Sequence, residues 1–429
     1  MGEIVATAAV AMGGVRELEG GAGRGVIVAD REARAFILGL AGGLHECGVP
    51  AHELEPTLER LCVRLNLAVQ VMATPTSIMF VFGAPEEQAT SLLRVNPGSI
   101  DLAREARLRH IAEEVARGRM GLGEAGASIE ALRRAPPPYG LAAVLLATAA
   151  ASGTTAGLVG GGWKEAGAAT VLGLLVGLLE RILSRKQDSA SLLEFAASAL
   201  GVLVIGALGS LLGGLNVGVA LVSGVVTLLP GFAVTTAVHD LAARHLASGV
   251  ARLGGAGLTL LALCFGAALG TGLSPWGVAS APSVALPWWG QLGSLLLGPF
   301  AFAVLLRARL SDAWIVALGW VVAWSGEMLG TELLGANLAG MVGALCLGVV
   351  AHLATWVTRR PATLALVPGL MYLVPGIVGF RGVTAFLDGS VALGAQTVFA
   401  MFLSAMGLVA GLLVACVLVP VAPSLMGRR

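Results

Sequence analysis

The chain has 429 residues, is 56% hydrophobic and only 12% charged, and carries a formal net charge of +1. A mean hydropathy of +0.85 puts it in the membrane class, and the near-neutral balance leaves no basic field for nucleic acid. The five cysteines, Cys47, Cys62, Cys264, Cys346 and Cys416, form no C-x-x-C pair and read as free core thiols.

Residues 1–30 are rich in Gly and Ala and are expected to be disordered; no basic segment precedes residues 4–12, so they do not read as a signal peptide. Helical periodicity follows over 31–47 and 51–65, then short apolar strands over 67–73, 77–82 and 91–95. Helices return over 100–117, capped by Ser99 or Asp101, and over 122–133. The order ααβββαα predicts an α+β domain over 31–135, large enough for its own core. Its short strands leave edges that must pair or be covered, which keeps a homo-oligomer open. His45-Glu46 and His52-Glu53 are its adjacent His–Glu pairs; without an H-E-x-x-H they read as solvated helix faces. No G-x-x-x-x-G-K-[ST] occurs, so any pumping draws on a gradient rather than on nucleotide hydrolysis.

Pro136-Pro137-Pro138 then leads into ten apolar runs. They cover 141–159, 166–183, 195–212, 215–238 and 253–273 in a first half (139–273), and 288–306, 313–329, 333–357, 362–378 and 391–419 in a second (288–419), before a tail over 420–429. With the N-terminal domain in the cytoplasm, the inner loops carry Arg181, Arg185, Lys186, Arg244, Arg252, Arg307, Arg309, Arg359 and Arg360, and the tail carries Arg428 and Arg429. The outer loops carry only Lys164 and Arg381. That bias predicts cytoplasmic N- and C-termini.

Ten spans divide into five plus five, and an odd number inverts the second half. Thr227-Leu228-Leu229-Pro230-Gly231-Phe232-Ala233-Val234 resembles Tyr372-Leu373-Val374-Pro375-Gly376-Ile377-Val378-Gly379, at similar depth in the fourth and ninth spans. Further on, Ser248-Gly249-Val250-Ala251-Arg252-Leu253 faces Gly389-Ser390-Val391-Ala392-Leu393. Proline has no N–H, so the Val226 and Met371 carbonyls are expected to lose their helical donors. Each break also starts a helix whose free N–H groups suit a carboxylate, while freed carbonyls suit an ammonium group. Together they suit a zwitterion; the plainer reading is a kink satisfied by neighbouring helices. Pro368-Gly369 lies nearer the cytoplasmic end, where the plainer reading is favoured.

Ionisable groups within spans are functional candidates. Asp240 follows Pro230 at the inner boundary, beside His239; it is a candidate proton carrier, with an ion pair to Arg244 as the bland alternative. Glu327 and Glu332 are placed at the outer end of the seventh span and in the loop after it. Thr235, Tyr372, Asn216, Thr236, Asn337 and Gln396 are candidates for a polar path or for hydrogen bonds across helices. Trp288, Trp289, Trp314 and Trp320 include interface anchors.

Several of these motifs resemble the threonine/serine exporter family of bacterial membrane proteins. The resemblance rests on residues 38–48 and 71–78 with Thr74-Pro75-Thr76, on Tyr139, and on Gly160-Gly161-Gly162-Trp163. It also rests on Leu229-Pro230-Gly231 with Asp240-Leu241 and Ser248-Gly249, and on Val374-Pro375-Gly376 with Arg381-Gly382. Lys164-Glu165 departs from the pattern, where an acidic residue is expected first. The resemblance implies export of threonine and serine across the bacterial inner membrane, driven by protons, with no cofactor, no metal and no enzymatic activity. In that reading Pro230, Gly231, Thr235, Tyr372, Pro375, Gly376 and Asn337 contact the substrate, and Asp240 and Glu327 couple protons. Two alternatives stay open: a dicarboxylate exporter on the same fold, or a membrane-anchored hydrolase, for which no nucleophile–base pair is visible.

Overall fold

The computed structural model describes residues 21–83, 88–96, 98–183, 190–275, 281–336, 338–373, 376–387 and 390–420. The N-terminal domain has the expected order. Helices α1 (Gly21–Glu46) and α2 (Ala51–Arg64) precede an antiparallel meander of β1 (Val69–Thr74), β2 (Ser77–Phe82) and β3 (Ala89–Arg94), and α3 (Leu102–Ala116) and α4 (Leu122–Arg134) follow. α1 starts at Gly21, upstream of the boundary expected at residue 31. Gly48, at φ +83°, makes the tight turn into α2. Asp101, one of the two expected caps, accepts from the Arg104 N–H at 2.9 Å.

Alternation in β2 turns Ile78, Phe80 and Phe82 into a core shared with Ile37, Leu40 and Leu44 of α1 and Leu54, Leu58 and Leu61 of α2, all buried. Each such side chain contributes roughly 1.5–3 kcal/mol of apolar burial. The edge of β1 is covered: Glu55 and Glu59 of α2 accept from the Ala73 and Val71 N–H groups at 2.7 and 3.5 Å. Burial pushes the Cys62 thiol up to about 12.

Among the described residues, nine helices are long and apolar enough to cross a membrane, or ten when one bent pair counts as a span. In the first half these are α5 (Leu141–Leu158), α6 (Trp163–Leu183), α7 (Ala190–Leu211), the pair α8 (Val217–Gly224) and α9 (Gly231–Ala242), and α10 (Leu246–Leu273). In the second they are α11 (Trp288–Leu305), α12 (Ala313–Leu334), α13 (Ala339–Thr358), α14 (Thr363–Leu373) with α15 (Gly376–Leu387), and α16 (Val391–Leu418). α12 continues to Leu334, so Glu332 is helical rather than in a loop. Pro368 lies inside α14 without ending it. Trp288, Trp289 and Trp314 are exposed where a membrane interface would be, but Trp320 is buried.

The two halves pack alike. α7 lies on α10 as α13 lies on α16, and α6 lies on α8 as α12 lies on α14. Across the halves the exchange is reciprocal: α9 meets α16, and α15 meets α10. Small residues permit the close crossings. A Cβ on Gly266 or Gly270 of α10 would fall 2.2 Å from the Phe195 carbonyl oxygen or 2.6 Å from that of Ala199 on α7.

Candidate functional site

The fourth span breaks because α8 ends before a single 3₁₀ turn, Val226–Leu228, and Leu229 is extended ahead of Pro230. The chain bends by 54° there. The Val226 carbonyl is not left free as expected: it accepts from the Leu229 N–H at 3.2 Å, because the 3₁₀ turn supplies an i+3 donor in place of the one proline lacks. Pro230 then caps α9, with no side chain bonding its first N–H groups.

The ninth span is described as α14 and α15, which count together as one apolar span over Thr363–Gly382. Pro375 and Asn337 lie outside the described residues. Gly376 is described, and it meets the break of the fourth span directly: a Cβ there would sit 3.2 Å from the Gly231 Cα and 3.3 Å from its nitrogen. The first turn of α9, with its partial positive charge, therefore lies against α15 at Gly376.

A cavity of about 330 Å³ opens against this junction. Val226, Thr227, Leu229 and Phe232 line it from the break in the fourth span, and Met371, Tyr372, Gly376 and Ile377 from the ninth span. Val226 matches Met371 in the internal repeat, Thr227 matches Tyr372, and Phe232 matches Ile377, so both halves contribute the same positions to one wall. Phe302 and Trp320 continue it as a cluster of tilted aromatic rings, with ring centroids 4.9 Å apart and Trp320 5.4 Å from Tyr372. Thr148, Thr155 and Glu180 add polar groups; no Lys, Arg or His is in the wall among the described residues. Two wall groups have no partner here, the Thr227 hydroxyl and the Trp320 Nε1–H, both buried. An unspent donor in an apolar wall is costly unless a ligand or water meets it.

The expected site residues divide. Tyr372 and Gly376 line the cavity, and Gly231 and Pro230 adjoin it. Glu327 stands behind the wall, near the Tyr372 side chain. Thr235 is buried with its hydroxyl unpaired and is not in the wall. Asp240 is fully buried and also outside the wall. Thr227, Trp320, Glu180, Thr148 and Thr155 were not singled out for the site. The repeat itself held the signal for Thr227, which aligns with Tyr372.

Asp240 takes partners that local sequence could not indicate. Its Oδ1 lies 2.6 Å from Nδ1 of His52 and 3.3 Å from the His52 backbone N–H, both on α2 of the N-terminal domain. Its Oδ2 accepts from the Ser248 hydroxyl at 2.8 Å and lies 3.3 Å from Nε of Arg252. The expected i+4 ion pair is thus replaced, because α9 ends before Arg244, whose φ of +67° turns the chain. Of the His–Glu pairs, the histidines are buried or nearly so, while Glu46 and Glu53 stay about one-third exposed. Nε2 of His45 lies 3.1 Å from the Thr74 carbonyl, and burial pushes its imidazole below its ordinary value. Glu53 and Glu46 pair with Arg109 and Arg133. Lys164 donates to the Leu212 carbonyl at 2.7 Å at the end of α7, and Glu165 accepts from the Gly162 and Asn216 N–H groups, so both act as helix caps.

Comparison with known proteins adds the family. A model described as "Putative threonine/serine exporter" matches residues 35–274, and a second, "Threonine/Serine exporter, ThrE", matches 294–418. The chain belongs to the threonine/serine exporter family. Members of this family are membrane exporters, not enzymes. The two models divide the chain where the repeat divides it. A probable threonine/serine exporter of Mycobacterium tuberculosis is 25% identical over 75% of this chain and 64% of its own length. An uncharacterized protein of Schizosaccharomyces pombe is 26% identical over 85% of this chain and 50% of its own. Pheromone-regulated membrane protein 10 of Saccharomyces cerevisiae is 25% identical over 82% and 47%. The chain thus spans about half the length of these fungal relatives. No solved structure matches it.

Proposed function

We propose that this protein exports small hydroxy amino acids of the threonine and serine type, bound where the break at Pro230 meets Gly376. The observation that carries the reading is the cavity wall built from matching positions of the two halves, which is where an inverted-repeat transporter holds its substrate. The N-terminus of α9 at Gly231, against which Gly376 lies, suits the carboxylate. Glu180 and the faces of Trp320 and Tyr372 suit the ammonium group. Thr227 and the Trp320 Nε1–H offer hydrogen bonds to a substrate hydroxyl or carboxylate. A dicarboxylate fits less well: the wall has a carboxylate and no basic side chain among the described residues, and Arg381 is exposed and outside it.

In this reading the N-terminal domain and both termini face the cytoplasm of a bacterial inner membrane, in keeping with the arginine-rich loops on that side. Proton coupling runs through Glu327, which touches the cavity by way of Tyr372, and through Asp240, whose charge holds the domain. The test is counterflow of labelled threonine in proteoliposomes, with and without a pH gradient, with serine and succinate as competitors. Uptake blocked by serine and altered by the gradient is expected. Uptake blocked only by succinate would transfer the function to dicarboxylates.

A further inference from the structure

The N-terminal domain does more than lie beside the membrane helices. Ser99 and Ile100 are part of the cavity wall, so the domain closes one side of the chamber. Just after them Leu102 is 1% exposed, packed in the cluster of Phe302, Leu306 and Trp320 that forms the aromatic side of the same wall. Its N–H donates to the Leu306 carbonyl at 3.0 Å, and Arg307 reaches Asp101 at 3.4 Å. This contact grips the end of α11. On the other flank α2 grips the end of α9 through His52 and Asp240, through the His52 ring 3.8 Å from that of His239, and through Glu55 and His245 at 3.1 Å. Both gripped helices line the cavity, by Phe302 and Leu305 on α11 and by Phe232 on α9.

The two grips differ in chemistry. Ser99–Leu102 is a wedge seated by buried Leu102 and a backbone hydrogen bond, with Asp101 paired to Arg307 at its edge. The His52 side holds by polar and charged contacts to a helix end, whose groups regain their hydration when they part. Arg109 of α3 binds Glu105 at 2.7 Å and Glu53 of α2 at 2.8 Å, so the helix behind the wedge and the helix bearing His52 move together.

We propose that the N-terminal domain is the inner gate of the transporter, hinged at Ser99–Leu102 and latched by His52 on Asp240. Substrate coming from the domain's side reaches the cavity when the latch releases and α2 swings from α9. The inference takes its direction of loading from the exporter reading, but the gate itself does not depend on the cargo.

The test therefore uses no substrate. In the full chain, with its native cysteines replaced, Thr227→Cys puts a thiol in the cavity wall. A membrane-impermeant maleimide is applied from the domain's side of reconstituted vesicles. His52→Ala is expected to raise the labelling rate about tenfold. Asp240→Asn, which weakens the same contact from the membrane side, is expected to raise it in the same direction. Ser248→Ala removes a partner of Asp240 without touching the domain, and is expected to leave the rate within about twofold. An unchanged rate in both His52→Ala and Asp240→Asn overturns the gate. So does an equal rise in Ser248→Ala, which would assign the effect to the surroundings of Asp240. Latch-dependent labelling in a protein that moves neither threonine nor serine would keep the gate and discard the substrate reading.

Discussion

The two halves of the membrane region give matching positions to one cavity but end differently. In the repeat, the position matching Asp240 is Ala385, and that matching Arg252 is Leu393. Both Asp240 and Ala385 are buried, yet Asp240 faces His52 of the N-terminal domain, whereas α15 meets only membrane helices in its principal contacts. Near the cavity the halves match; away from it they diverge where the domain docks. Symmetry serves the shared site, and the departure from symmetry serves the domain.

That contrast can be broken at its strongest point. Asp240→Ala leaves Arg252 without its carboxylate and His52 without its acceptor, an expected loss of about 3–5 kcal/mol, read as a lower unfolding temperature in detergent. Ala385→Asp puts an unpartnered carboxylate at the matching place and should cost about 2.5–3.5 kcal/mol in the same assay. Tolerance of both would mean that the two ends are interchangeable after all.

The symmetric part is sharpened at Gly376. Valine there drives a side chain into Gly231, so threonine counterflow should fall by at least about tenfold while the protein still inserts. Normal counterflow would remove the junction of Gly231 and Gly376 from the site. Thr227→Val and Tyr372→Phe then compare the matched wall positions: each should raise KM by about 3–10-fold. An effect from only one would show that the substrate uses one half. The smallest effect is expected at the periphery. Lys164→Ala removes a cap on α7 and should cost about 0.3–1 kcal/mol, with counterflow unchanged.

Much of this architecture was legible in the chain. Apolar runs gave the spans, because a helix in lipid must satisfy its backbone internally and so needs an uninterrupted apolar stretch. A short apolar run bounded by turn residues marked the strand over 77–82. The repeat around Pro230 and Pro375 pointed to the region where Gly231 and Gly376 meet. Less of the site could be read. Thr155 and Thr148 look like any threonines of an apolar helix, and Trp320 looks like an interface anchor until α11 and α14 enclose it. Asp240 carried a local partner at i+4, but the end of α9 made that pairing irrelevant.

Sequence alone determined the class, the order of elements, the division into two halves and the places where proline interrupts hydrogen bonding, since each depends on residues near one another in the chain. Only the tertiary structure decided that the break at Pro230 and the ninth span share one cavity, that Thr227 faces it, and that Asp240 answers His52 from the N-terminal domain. Those contacts join residues far apart along the chain, and no local periodicity specifies which distant surface a buried polar group will meet.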